Sequence, residues 1–261
     1  MLSLFKKPVA AFLFLIVFAI GFLPAETWAQ TLSLDLGSDT QGTVTGRVIQ
    51  MVALLTVLSL APSILIMMTS FTRIIVVLSF LRTAMGIQQT PPNIVMVSLA
   101  LFLTFFIMSP TLEAAYDQGV KPLINEEIDE MEAFERTVQP FREFMLKHVR
   151  PADLELFAGL SGKGPFESVE DVPLTVVVPS FMISELRRAF EIGFMIFLPF
   201  LIIDMVTAAI LMSMGMMMLP PILISLPFKI VFFVLVDGWN LLAGTLIQSF
   251  NGPMLPPAGT P

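Results

Sequence analysis

Apolar residues in this chain come in long unbroken runs, not in strand-like alternation. The main runs are Val48–Met68, Asn93–Pro110, Ser184–Gly215 and Pro220–Phe250. Each approaches or exceeds the ~20 residues that cross a hydrocarbon core as helix. Helices that are apolar all round bury their whole circumference in protein or lipid. The pattern therefore predicts an all-α fold of long apolar helical hairpins. Between them, "SFTRIIVVLSFLRTAMG" (Ser70–Gly86) reads as a helix ending at Gly86. In the "TPPN" that follows, Thr90 is expected to cap and Pro91 to open the next helix.

One stretch breaks the pattern. Residues 113–171 hold fourteen of the 21 acidic side chains and six of the 14 basic ones, a net charge of −8. Within it, Ile128, Met131, Phe134 and Val138 recur near helical spacing, which predicts an amphipathic helix interrupted at Pro140. This is a polar, acidic helical insertion outside the hydrocarbon. The organisation expected is a first apolar hairpin region over 48–112, the insertion over 113–178, a second apolar hairpin over 179–251 and a disordered tail over 252–261. Residues 1–29 have the layout of a secretory signal: Lys6 and Lys7, an apolar run from Val9 to Phe22, Pro24 and small residues before a cleavage point at Ala29 and Gln30. Cleavage leaves residues 30–47 as a mobile arm rich in Gly, Ser, Thr and Asp.

Composition narrows the function classes. Hydrophobic residues make up 56% of the 261, mean hydropathy is +0.86, and 13% are charged against ~25% for a soluble domain. The chain is therefore expected at a membrane. With no cysteine and a single histidine, His148, thiol chemistry and any mechanism needing two imidazoles in one chain are excluded. The net charge of −7 argues against a nucleic-acid partner. Nothing in the spacing suggests an enzyme, a resident metal or a cofactor.

Charges inside apolar helices are costly, at least ~2.5–3.5 kcal/mol each when unpaired. Asp204 and Lys229 lie deep in the last two runs. If "SMGMMMLPP" (Ser213–Pro221) is a hairpin tip, the two fall at similar heights on its arms, and a buried pair is expected, either structural, fixing hairpin register, or a proton or ion relay. Asp237 has no evident partner in its own hairpin and is expected to face another subunit or a water-filled cavity. "SELRRAFEIG" (Ser184–Gly193) reads as a solvated helix end, with Glu185, Arg187, Arg188 and Glu191 paired along one surface. A plain four-span topology conflicts with the positive-inside rule, because the second hairpin tip carries no basic residue. Either the crossing order differs or other protein covers these faces.

The tip itself holds Met216, Met217 and Met218 between Gly215, which gives freedom, and Pro220 and Pro221, which restrict it. Taken alone, these methionines are apolar filler or soft thioether ligands for Cu(I). An ion or small-molecule transporter, with Cu(I) among its candidate cargoes, is the alternative reading of the chain.

The blocks "SFTRIIVVLSFLR", "GIQQTPPN", "ALFLTFFIMSP", "FMISELRRAFEIGF", "FLPFLIIDMV", "MGMMMLPP" and "LPFKIVFFVLVDGWNLL" resemble, in order, those of the FliP family of bacterial flagellar type III secretion. The resemblance implies an inner-membrane subunit of the flagellar basal body, held largely towards the periplasmic side. It implies a helical ring of several copies with FliQ and FliR around a pore that passes unfolded flagellar proteins, among other export-apparatus and basal-body components. It also implies that the methionine loop, here Met216–Met218, forms a gasket closing that pore, and it supports the pairing of Asp204 with Lys229.

Overall fold

The computed structural model describes residues 44–87, 89–162, 166, 171–216 and 219–251. The signal segment with its cleavage point at Ala29 and Gln30, nearly all of the N-terminal arm, Met217, Met218 and the tail lie outside the described residues. Among the described residues there is no strand, so the fold is all-α.

The chain divides into two compact units, 1–55 and 56–261. Helix α1 (Val44–Met67) crosses that division. Its described side chains Val48, Leu54, Leu58 and Ile64 are all exposed. The second unit contains α2 (Phe71–Ala84), α3 (Asn93–Ala115), a π-helical turn (Tyr116–Val120), α4 (Lys121–Ile124), α5 (Glu130–His148), α6 (Pro151–Leu160), α7 (Leu174–Ser213), α8 (Pro221–Leu235) and α9 (Gly238–Asn251).

Helix α7 is the axis of this unit. Its 40 residues at 1.5 Å each give about 60 Å, twice the ~30 Å hydrocarbon thickness. Helices α2, α5, α6 and α8 all pack on it. Two cores lie along its length. One joins Ile74, Val77 and Leu81 of α2, Ala189 and Phe200 of α7, Phe233 of α8 and Leu246 of α9. The other joins Met108 of α3, Phe141 and Met145 of α5, and Val177 and Phe181 of α7.

Several boundaries depart from the sequence reading. Helix α7 begins at Leu174, ten residues before Ser184, and runs through Pro179 and Pro199. Helix α5 is not interrupted at Pro140 but continues to His148 with Pro140 buried. The missing N–H and the ring clash of an internal proline are offset there by burial of the face that carries Phe141 and Met145. Asp129 caps α5 by accepting from the Glu132 N–H at 2.8 Å, which gives this charged helix a defined start. Helix α3 opens at Asn93, after both prolines, with Pro92 rather than Thr90 at the cap position.

The expected single helix from Pro220 to Phe250 is two helices bent by 63°. Asp237 sits at the break with φ of 51°, and its carbonyl accepts from Asn240 and Leu241 N–H at 3.1 Å to start α9. Aspartate tolerates this left-handed conformation better than the flanking valine would. Gly238 follows because a Cβ there would lie 2.2 Å from the Phe233 ring.

Among the described residues, two helices, Asn93–Ile124 and Leu174–Ser213, are long and apolar enough to cross a membrane, or three spans if the bent α8–α9 pair counts as one. Within the most apolar window of α7 only 11% of residues are buried. An apolar surface of that extent needs lipid or protein to cover it.

Helices α2 and α7 approach closely at Gly193, where an added Cβ would lie 2.6 Å from the Phe80 ring and 3.0 Å from its Cβ. The Phe80 ring meets Phe190 edge-on at 5.0 Å, so it has little room to retreat. Gly193→Val is expected to lower the stability of the purified chain by about 1–3 kcal/mol, read as a fall in melting temperature in detergent. An unchanged melting temperature would show that the contact yields freely.

Candidate functional site

Three sets of side chains stand out: a buried polar node, a buried charge pair and the methionine turn. The node lies where the two cores meet. Arg73 of α2, 3% exposed, faces Glu185 of α7, which is fully buried. The Arg73 Nε donates to Glu185 Oε2 at 2.8 Å, and Nη2 donates to Oε1. This two-pronged contact suits the planar guanidinium fork. Nη1 donates to the Ser249 carbonyl at 3.1 Å and to Ser249 Oγ at 2.9 Å. The guanidinium also stacks 3.7 Å from the centre of the Phe250 ring. One arginine thereby ties α2 and α7 to the last turn of α9.

Around it, Ser184 Oγ accepts from the Arg150 N–H at 3.0 Å and donates to Asp153 Oδ2 at 2.7 Å. This joins the start of α6 to α7. His148 Nδ1 lies 2.7 Å from the Phe144 carbonyl and Nε2 lies 3.2 Å from the Phe250 carbonyl. Burial lowers the His148 pKa below its ordinary 6.5, with Arg73 and Lys147 pushing the same way. The two carbonyl contacts oppose that shift without reversing it.

The expected solvated end at Ser184–Gly193 holds only in part. Arg187 and Arg188 pair with Glu191 at 3.1 and 3.4 Å on an exposed surface. Glu185 turns instead into the protein, towards Arg73, 112 residues away in sequence. Spacing along one helix has no means of revealing such a partner. The one available signal was the need of Arg73, inside an apolar helix, for an anion.

Asp204 of α7 and Lys229 of α8 come together. Lys229 Nζ donates to Asp204 Oδ2 at 2.6 Å and to the Ala84 carbonyl at the end of α2 at 3.1 Å. Ser225 Oγ donates to Asp204 Oδ1 at 2.6 Å. Lys229 is 2% exposed and Ser225 fully buried. Asp237 is elsewhere, exposed at the α8–α9 break.

Towards the tip, α7 ends in a defined motif. Gly215 has φ of 77°, its N–H donates to the Met212 carbonyl at 3.1 Å, and the Met216 N–H donates to the Leu211 carbonyl at 3.0 Å. These two bonds close the helix in the manner of a left-handed glycine cap. Pro220 and Pro221 then open α8, Pro221 at its first helical position, where a missing N–H costs nothing. Met214, Met216 and Leu219 are exposed. Beside the turn, Ile203, Ile210, Leu211, Met214, Met216 and Phe228 line part of an apolar groove of about 540 Å³.

A family model described as the FliP family matches residues 54–246. "Flagellar biosynthetic protein FliP" of Caulobacter vibrioides is 57% identical over 234 residues, covering 89% of this chain and 87% of that protein. The Bacillus subtilis protein of the same name is 57% identical over 202 residues, 77% of this chain and 91% of its own length. That of Aquifex aeolicus is 53% identical over 206 residues, covering 78% and 86%.

Breaking the Arg73–Glu185 pair from either side leaves a buried charge alone. Arg73→Met or Glu185→Leu is expected to cost about 3–5 kcal/mol, and the double variant less than either. Melting temperature and the amount of folded protein in membranes would read this, and additive losses would refute the pairing. For His148 the sign follows from its lowered pKa: the unfolded chain takes up the proton first as pH falls. Stability contributed by the neutral ring is therefore present above about 6.5 and lost below it. The difference in melting temperature between the parent and His148→Gln should shrink over that range, and a pH-independent difference would contradict the assignment.

Proposed function

The chain belongs to the FliP family of flagellar biosynthetic proteins, and on that premise we propose that it is a pore-forming subunit of the flagellar protein-export gate. Several copies, with FliQ and FliR, enclose a channel for unfolded flagellar proteins in the inner membrane, with much of the assembly towards the periplasm. The turn around Met216–Met218 closes that channel at rest. Gly215, Pro220 and Pro221 fix the two ends of the turn, and Asp204 with Lys229 holds its arms together. Asp237 meets a neighbouring subunit.

The observation that carries this reading is the setting of Met214 and Met216. Both thioethers stand exposed at the tip of an apolar hairpin whose backbone is firmly capped. A stiff stem with a soft end is what a reversible seal requires. Unbranched thioethers fill irregular gaps and move aside for any passing sequence. A narrow apolar constriction excludes ions by resisting wetting, without using charge. The uncovered apolar faces of α1, α3 and α7 support assembly with further protein, and that covering also removes the conflict with the positive-inside rule. The two hydrogen bonds on Asp204 and the two on Lys229 favour a structural pair over the proton or ion relay that the transporter alternative requires.

Replacing Met216, Met217 and Met218 together by alanine is expected to raise resting ion leak across the inner membrane severalfold while secretion of flagellar protein persists. The measurement is membrane conductance or ion-sensitive growth beside secreted protein in the same cells. Unchanged leak at normal amounts of protein would count against a seal, and Cu(I) bound one-to-one by the parent but not the variant would favour the transporter.

A further inference from the structure

We propose that Ser225 is the positioning residue that sets the register of the α7–α8 hairpin, and that the contact between the first turn of α8 and the end of α2 carries this register to a third helix. The inference rests on the gate reading above, but it concerns where the turn is held, not what the turn does.

The two oxygens of Asp204 have separate donors from one helix. Oδ1 accepts from Ser225 and Oδ2 from Lys229, each at 2.6 Å. Ser225 and Lys229 are four residues apart, one turn of α8 on the same face. Their mechanical properties differ. Lysine is a point charge on a flexible four-carbon stem. It can keep its grip on a carboxylate while α8 slides along α7 by about one turn, ~5.4 Å. The serine hydroxyl sits one bond beyond Cβ and has no such slack. Lysine supplies the attraction, and serine makes it specific to one register. The neighbouring side chains Ile203, Ile210, Leu211, Ile224 and Phe228 are apolar and make no directional bonds that would single out one register.

The register then reaches a third helix. Lys229 Nζ also donates to the Ala84 carbonyl, in the last turn of α2, where carbonyls lack partners within the helix and the dipole favours a cation. Two residues on, Gly86 turns the chain with φ of 76°, and a Cβ there would touch Ile222 Cγ1 at 4.0 Å. The end of α2 therefore abuts the first turn of α8, directly after Pro220 and Pro221. A slip of α8 would move the methionine turn and the end of α2 together.

The absence of cysteine from the sequence makes the test direct. Met212→Cys and Ile222→Cys, both exposed in the parent, carry spin labels on the two arms of the full-length chain. Pulsed electron resonance then reads the distance between the arms. In the Ser225→Ala background the population at a second distance, displaced by up to about 5.4 Å, is expected to grow about tenfold, the effect of losing a hydrogen bond to a charged group. Ser225→Thr restores the single distance. Should the alanine variant fail to accumulate, Ser225→Val against Ser225→Thr makes the same comparison. An unaltered distribution without the hydroxyl, or no recovery with threonine, overturns the proposal. Resting leak separates it from the gate reading. If the methionine variant leaks and the hydroxyl-free variant keeps both its distance and its seal, the register role alone fails. If the distance shifts and neither variant leaks, the gate reading fails and the register role stands.

Discussion

The second unit depends on one buried contact, the two-pronged pairing of Arg73 with Glu185. Most of its other contacts along α7 are apolar and without direction, which fixes that helices meet but only loosely where. Arg73 and Glu185 are almost fully withdrawn from water, so each is tolerable only opposite the other. That requirement places α2 against α7 at one height. The same guanidinium grips Ser249 and stacks on Phe250, so the far end of α9 is fixed by the arginine that fixes α2.

A second polar contact performs the same service nearer the hairpin tip. Asp204, Ser225, Lys229 and the Ala84 carbonyl join α7, α8 and α2. Between the two contacts α2 and α7 run in close apposition, with Gly193 letting Phe80 in. Beyond the second contact the hairpin runs past the end of α2, where Ile222 lies beside Gly86, to the exposed Met214 and Met216. Polar bonds thus set positions in the interior, and soft apolar groups are left at the tip. This division suits a protein whose remaining apolar surface is to be covered by neighbours or lipid.

Much of this was legible in the sequence, and for a physical reason. Runs of twenty apolar residues permit few structures other than helices, so the all-α fold and the long apolar helices follow from composition in order. The glycine and prolines around the methionine turn act through their own backbone limits, so their effect is local and readable. Asp204 and Lys229 stood out because a charge in an apolar helix demands a partner, and few were on offer. The ordered blocks quoted above carried the family resemblance.

Tertiary structure alone decided the rest. Glu185 looked like part of a solvated helix end because its neighbours on α7 offered it a cation, yet its partner lies on another helix at a separation that no periodicity encodes. Pro140 looked like a break and Pro220–Phe250 like one helix, because propensity weighs each residue by itself. Burial of the Phe141 face carried α5 through its proline, while α8 and α9 bend at Asp237 to pack on α7 and α3. The sequence determined which segments are helical and which charges need partners, since both follow from the cost of exposing or burying each group. Which partner each charge took, and where each helix stopped, depended on surfaces brought together only by folding.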